Sequence, residues 1–314
     1  MKFFVESRRF LLGAGALYCL LKVLFVSGIL SSYIEQITLY AFIVIIVSLG
    51  LNVIYGFTGQ FSLGQAAFYG IGAYAAAYVT KTFQVDGPLF FVPLLFLGGA
   101  VAGLIGCLIG IPILRLKDDF LAIATLGFGI LVRVLLDNSD RFSEILGGSR
   151  GFVGVSRITT LETTLLVTVF LVIVTRNLIY SRYGLFWRCI RDDEPAAAAA
   201  GIDTARMKLL AFVYGCFLAG VGGGLYAHLY TFLHPSNFDV LKSIDFLVIV
   251  IVGGMGSIRG TILSGLLWVG FIEGLRIVLP SNLLELRWVF IPALLILLMI
   301  WRPYGLIVKT ENRK

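Results

Sequence analysis

Residues 188–203 read Arg188-Cys189-Ile190-Arg191-Asp192-Asp193-Glu194-Pro195-Ala196-Ala197-Ala198-Ala199-Ala200-Gly201-Ile202-Asp203, a polar island with a run of alanines, set between long apolar stretches. This order of residue types specifies a short capped helix. Asp192 or Asp193 offers a carboxylate oxygen to the free backbone N–H groups of a first helical turn, and Pro195, with φ already fixed, suits the first helical position. Alanine is the best helix former, and Gly201 can take the left-handed conformation that ends a helix. A small rigid helix held at the surface between membrane-compatible segments reads as a docking element.

The rest of the chain places that island in a membrane protein. Of 314 residues, 59% are hydrophobic and only 14% are charged. The mean hydropathy is +0.96, far above the range of soluble domains. The net charge of +7 does not point to nucleic acid, because the basic residues sit in short loops between apolar spans and not on one aromatic-laced polar face. Cys19, Cys107, Cys189 and Cys216 lie in or beside apolar spans with no C-x-x-C spacing, so neither disulfides nor a metal site is expected. Lys2, Arg8 and Arg9 precede an apolar run long enough to cross a bilayer, without a convincing cleavage site, and the run reads as a retained first span.

Apolar stretches fall at 10–30, 37–56, 61–79, 89–113, 120–137, 161–179, 208–231, 244–258, 261–279 and 288–302. The expected architecture is therefore an all-α, polytopic transmembrane bundle of about eight to ten spans, with the stretch 244–258 too short to cross as a simple helix. Placing the N-terminus inside puts 114–119, 180–207, 257–260 and the C-terminal tail on the cytoplasmic side. Sixteen of the 25 lysines and arginines then fall inside and six outside (Lys81, Arg141, Arg150, Arg157, Lys242, Arg287), with Lys22, Arg133 and Arg276 within spans. The positive-inside rule favours this orientation, with both termini cytoplasmic and 138–160 as the longest outer loop.

A second informative stretch runs from Asn52 to Tyr74 and contains Gly56-Phe57-Thr58-Gly59-Gln60-Phe61-Ser62-Leu63-Gly64-Gln65. In hydrocarbon, freed backbone groups are tolerated only where they are buried in protein or line a wet cavity. Asn52, Gln60, Ser62 and Gln65 are thus candidates for a translocation path, while Gly64, Gly70, Gly72 and Ala73 read mainly as close helix contacts. Gly253-Gly254-Met255-Gly256-Ser257-Ile258-Arg259-Gly260 echoes this glycine-rich break, as an internal structural repeat would. Glu273 and Arg276, three apart on one helix, read as a structural ion pair. Lys22 and Arg133 lie within reach of helix ends and can snorkel. His228 has no acidic residue at helical spacing, which argues against a proton relay.

Several motifs are missing. There is no G-x-x-x-x-G-K-[ST] phosphate loop, no H-E-x-x-H and no nucleophile elbow, so no catalytic residue and no cofactor site is expected. A carrier coupled to ions would need buried acids in mid-span, and Glu273 is nearly alone there.

The segments Gly56-Phe-Thr-Gly-Gln-Phe-Ser-Leu-Gly-Gln-Ala-Ala-Phe, Arg115-Leu-Lys-Asp-Asp-Phe-Leu-Ala-Ile-Ala-Thr-Leu-Gly-Phe-Gly, Arg191-Asp-Asp-Glu-Pro-Ala-Ala-Ala-Ala-Ala-Gly-Ile and Gly253-Gly-Met-Gly-Ser, in this order, resemble the permease subunits of ABC importers for branched-chain amino acids, the second being similar to the LivM type. The resemblance covers about 37–305. It implies one transmembrane permease domain over 1–314 with the ABC-importer permease fold, in the bacterial inner membrane. It further implies a heterodimer with a sister permease, two cytoplasmic ATPases that hydrolyse ATP on the chain's behalf, and a periplasmic substrate-binding protein. On this resemblance the 180–207 loop engages the ATPase, with Arg191, Asp193, Glu194, Ala197, Ala198 and Gly201 as the coupling residues. Urea and short-amide importers use similar permeases, and a secondary transporter or channel is the rival class.

Overall fold

The computed structural model describes residues 15, 18, 22, 31–84, 87–116, 118–278, 296, 300, 305 and 306. Its central helix is α1, Ser32–Leu51, which is apolar all round and buried from Ala41 to Leu51, as a helix ringed by other helices must be. It runs on into a wider π turn, Asn52–Phe57. After the glycine-rich break come α2 (Gln65–Phe83), α3 (Pro88–Ile113) and α4 (Asp118–Asp137). Then follow α5 (Leu161–Ile179), the short helices α6 (Arg182–Asp192) and α7 (Glu194–Ala199), the long α8 (Thr204–Tyr230), α9 (Val240–Gly253) and α10 (Ile258–Val278). Two-residue strands, β1 (Phe152–Val153) and β2 (Phe232–Leu233), pair antiparallel. The protein is an all-α polytopic bundle.

Among the described residues six helices are long and apolar enough to cross a membrane, lying within Ser32–Phe57, Phe90–Ile113, Phe120–Asp137, Leu161–Ile179, Thr204–Tyr230 and Ile258–Arg276. Large apolar side chains such as Leu104, Leu108, Phe120, Ile123 and Leu166 point outward, a surface suited to lipid. Eight of the ten expected segments are helices, and the other two, 10–30 and 288–302, fall largely outside the described residues. The expected stretch 61–79 starts later, at Gln65, because the break occupies 58–64. The expected short segment is indeed short: α9 has 14 residues, about 21 Å of helix against a hydrocarbon core of roughly 30 Å.

Small residues set the spacing of the interior. A Cβ on Gly72 would lie 2.3 Å from the Gly220 carbonyl oxygen, and one on Gly223 would lie 2.0 Å from that of Tyr69, so α2 and α8 touch backbone to backbone. Gly64 fits against the Thr125 backbone, and Gly70 against the Phe238 side chain.

Two of the segments that charge bias assigns to one side, 180–207 and 257–260, lie at one end of the bundle beside the first glycine-rich break. There, Gly59 abuts Arg191, the Gln60 amide reaches the Lys208 carbonyl, and Gly56 faces Gly256. At the opposite end β1 pairs with β2, Lys81 donates to the Val153 carbonyl at 2.9 Å, and Arg133 meets Asp239 at 2.6 Å. Arg133 therefore does not simply snorkel: it ties α4 to the start of α9. Lys22 likewise pairs with Glu162 at 2.6 Å.

Candidate functional site

The α6–α7 hairpin is built from local signals. The Ser181 hydroxyl accepts the Tyr183 N–H and starts α6. Trp187 and Ile190 face inward from it, and the Trp187 ring fills a small apolar cluster with Val53, Phe57, Ile179 and Ala211. The indole N–H donates to the Met207 carbonyl at 2.9 Å, which satisfies the polar end of a buried tryptophan. Of the two aspartates that could cap α7, Asp193 does so, its Oδ1 accepting from the Ala196 N–H at 3.0 Å. Pro195 stands in the first turn. Ala197 is buried, whereas Ala196, Ala198 and Ala199 are exposed. Gly201 has φ +85°, and the N–H groups of Gly201 and Ile202 return to the carbonyls of Ala198 and Ala197. That is the left-handed glycine stop.

Two further links fasten the hairpin to the bundle. Lys208 on α8 reaches the Glu194 carboxylate at 2.5 Å. Arg191 donates from Nη1 to the Gly56 carbonyl at 3.0 Å and from Nη2 to Asp192 at 3.0 Å. Gly59 and Gly256, with φ +76° each, pass so close to Arg191 that a Cβ would stand 3.3 Å from its Cγ or 3.0 Å from its Nη1. One guanidinium thus lies against both glycine-rich breaks.

Asn52 joins the two breaks directly. Its Oδ1 accepts from the Gly256 N–H at 2.9 Å, and its Nδ2 donates to the Ser257 carbonyl and to Thr261 Oγ1 at 2.8 Å. The echo between the breaks in sequence is therefore also a contact in space. Gln60 donates to Thr58 Oγ1 and the Lys208 carbonyl, while Gln65 donates to the carbonyls of Val47 and Gly215. Thr58 itself donates to the Ile54 carbonyl. The Ser62 hydroxyl accepts from the Gly64 N–H at 3.4 Å. All four candidate path residues are buried, and the Oε1 atoms of Gln60 and Gln65 have no hydrogen-bond partner among the described residues.

Glu273 and Arg276 stand 3.6 Å apart, and the Tyr33 hydroxyl donates to Glu273 at 2.8 Å. His228 is buried between Thr80 Oγ1 and the Gly224 carbonyl, 2.8 Å from each. No group of three His, Cys, Asp or Glu residues poised for a metal occurs among the described residues. Sequence reasoning missed the Arg191–Gly56 and Glu194–Lys208 links. For the second, charge complementarity across the Gly201 stop was an available signal.

A helical bundle with a lipid-suited surface, a polar glycine-rich interior and an exposed capped helix anchored to it is a multi-pass membrane permease. The chain belongs to the family described as the branched-chain amino acid transport system permease component, whose model matches residues 33–299. The high-affinity branched-chain amino acid permease protein LivM of Salmonella typhimurium is 35% identical over 86% of this chain and 68% of its own length. LivM of Escherichia coli is 34% identical over the same shares. A probable branched-chain amino acid permease protein LivH of Methanocaldococcus jannaschii is 28% identical over 77% of this chain and 79% of its own. No solved structure matches the chain.

Proposed function

We propose that this chain is the LivM-type membrane subunit of an ATP-driven importer of branched-chain amino acids. It forms the translocation path with a sister permease in the inner membrane, receives substrate from a periplasmic binding protein, and is driven by two cytoplasmic ATPases. The observation that carries the reading is the exposed α7 helix, whose base is held by Arg191 to Gly56 and by Glu194 to Lys208. A helix pushed by closing ATPases would move Arg191 and, with it, both glycine-rich breaks. Two global states, biased by nucleotide on one side and by the docked binding protein on the other, complete the cycle.

In this proposal Arg191, Asp193, Glu194, Ala197, Ala198 and Gly201 form the coupling element, with small alanine side chains allowing close approach. Asn52, Gln60, Ser62 and Gln65 abut the path from within the subunit and hold the breaks in shape. The branched-chain amino acid transport of the relatives favours leucine, isoleucine and valine as substrates. The test is reconstitution: the chain with its sister permease, ATPases and binding protein in proteoliposomes takes up labelled leucine only with ATP and binding protein present. Uptake driven by an ion gradient without ATP overturns the reading.

A further inference from the structure

In a chain with 14% charged residues, two opposite charges and a group of aromatic rings converge beside α1, in the half of the bundle away from the hairpin. Lys242 and Asp245 on α9 stand 3.1 Å apart. The Lys242 ammonium lies 5.2 Å from the Tyr40 ring centre and 5.7 Å from that of Phe246. Tyr226 joins the group, 6.2 Å from Tyr40 and 5.4 Å from Tyr69.

Two features make this more than a structural ion pair. The side chains of Lys242 and Asp245 keep 24% and 19% of their surface accessible, so they are half-buried and not sealed in the core. Tyr69 is 1% exposed, and its hydroxyl has no hydrogen-bond partner among the described residues. A buried phenol left without a partner is costly, and a polar group of a visiting molecule would satisfy it.

The chemistry that fits is a zwitterion. A bound α-ammonium would face Asp245 while an α-carboxylate faces Lys242, so one internal pair is exchanged for two and no charge is left unpaired at any step. Aromatic faces favour an ammonium group and also pack against an aliphatic side chain.

We propose that Lys242 and Asp245, with Tyr40, Tyr69, Tyr226 and Phe246 around them, form the station where a zwitterionic amino acid with an apolar side chain rests during passage. The inference builds on the importer reading above. Its test uses the complete reconstituted complex, with labelled leucine, on the variants Lys242→Gln and Tyr69→Phe. Lys242→Gln lowers uptake by about tenfold or more while ATP hydrolysis stimulated by the loaded binding protein continues. Tyr69→Phe removes one oxygen and no shape, and lowers uptake by about threefold with complex assembly unchanged. It carries the test if Lys242→Gln does not assemble. Wild-type complexes that import no leucine overturn the importer reading and the station with it. Wild-type import of leucine, with variant uptake that matches wild type or that falls only in step with assembly, overturns the station alone.

Discussion

The guanidinium of Arg191 donates to the Gly56 carbonyl at 3.0 Å across 135 residues of sequence, joining the base of the surface hairpin to the first glycine-rich break. Gly256 of the second break lies against the same group. A displacement of α7 cannot leave either break untouched while that bond holds. Local packing is tight here because Gly59 and Gly256 both have positive φ, a conformation open to glycine and costly for other residues.

Arg191→Ala is expected to cut this link while leaving the subunit folded. The side chain is 36% exposed, so its pair with Asp192 is worth below about 1 kcal/mol, and the bond to the Gly56 carbonyl about 1.5–3 kcal/mol. Uptake falls by about tenfold, within the range of typical coupling energies, while ATP hydrolysis by the assembled complex persists. Parallel assays of uptake and hydrolysis in proteoliposomes check this. A parallel fall in both would show that Arg191 serves assembly and not coupling.

Gly201→Val is expected to harm the complex and Gly201→Asn to spare it. Nothing lies within 4 Å of a Cβ built on Gly201, so the penalty is purely conformational. A residue with Cβ in the left-handed region costs roughly 1–2 kcal/mol, and a β-branched one more, whereas Asn tolerates it. Co-purification of the ATPase with each variant, together with uptake, reads the result. Equal behaviour of the two variants would remove the glycine stop from the argument.

Gly72→Ala tests the helix spacing. Its Cβ would meet the Cα and carbonyl oxygen of Gly220, both at 2.3 Å and both backbone, so α2 and α8 must separate. Overpacking of this kind costs about 1–3 kcal/mol or more. Gly127→Ala on α4, where a Cβ meets nothing within 4 Å, is the control and does not lower stability, since alanine is the better helix former. Thermal unfolding of the detergent-solubilised complex, followed for both variants, should show a lower Tm for the first alone.

Gln65→Leu removes two donated hydrogen bonds, to the Val47 and Gly215 carbonyls. In exchange it relieves an Oε1 atom that has no partner among the described residues. At about 1 kcal/mol per bond, the yield of assembled complex falls modestly. Transport is expected to fall further than assembly, because the polar break is reshaped at the start of α2. Uptake normalised to assembled complex is the measurement, and a normalised value equal to wild type would assign Gln65 to packing only.

Much of this architecture is legible one segment at a time. Caps, spans and the glycine stop depend on neighbours within a few residues, and Asp193 and Gly201 act where their local patterns place them. The links between distant segments are different in kind. Asn52 to Gly256, Arg191 to Gly56, Arg133 to Asp239 and Lys22 to Glu162 each join residues more than 100 positions apart. Such pairs depend on how helices rotate and cross, which periodicity in an apolar chain hardly encodes. In α1 the reason is visible: apolar on every side, it carries no stripe to say which face meets which neighbour. The polar residues of the break stand out in sequence, but whether they face a path or one another is decided by packing.

Ala198→Trp puts the docking role of α7 to the sharpest test. Ala198 is exposed, while its neighbour Ala197 is buried against the bundle, so an indole at 198 points away from the subunit and disturbs neither its fold nor its insertion. Only a partner closing over α7 can meet it. A surface substitution of this type shifts stability by no more than about 0.5 kcal/mol, whereas steric exclusion from a close-fitting cleft abolishes docking. The variant is expected to insert normally and retain its sister permease, but to lose the ATPase on purification or to hydrolyse ATP without uptake. Pull-down of the ATPase and proteoliposome uptake, measured on the same preparation, separate these outcomes. Normal ATPase retention together with normal uptake would leave the hairpin a passive surface feature, and the mechanical role would then have to pass to another segment of the same end of the bundle.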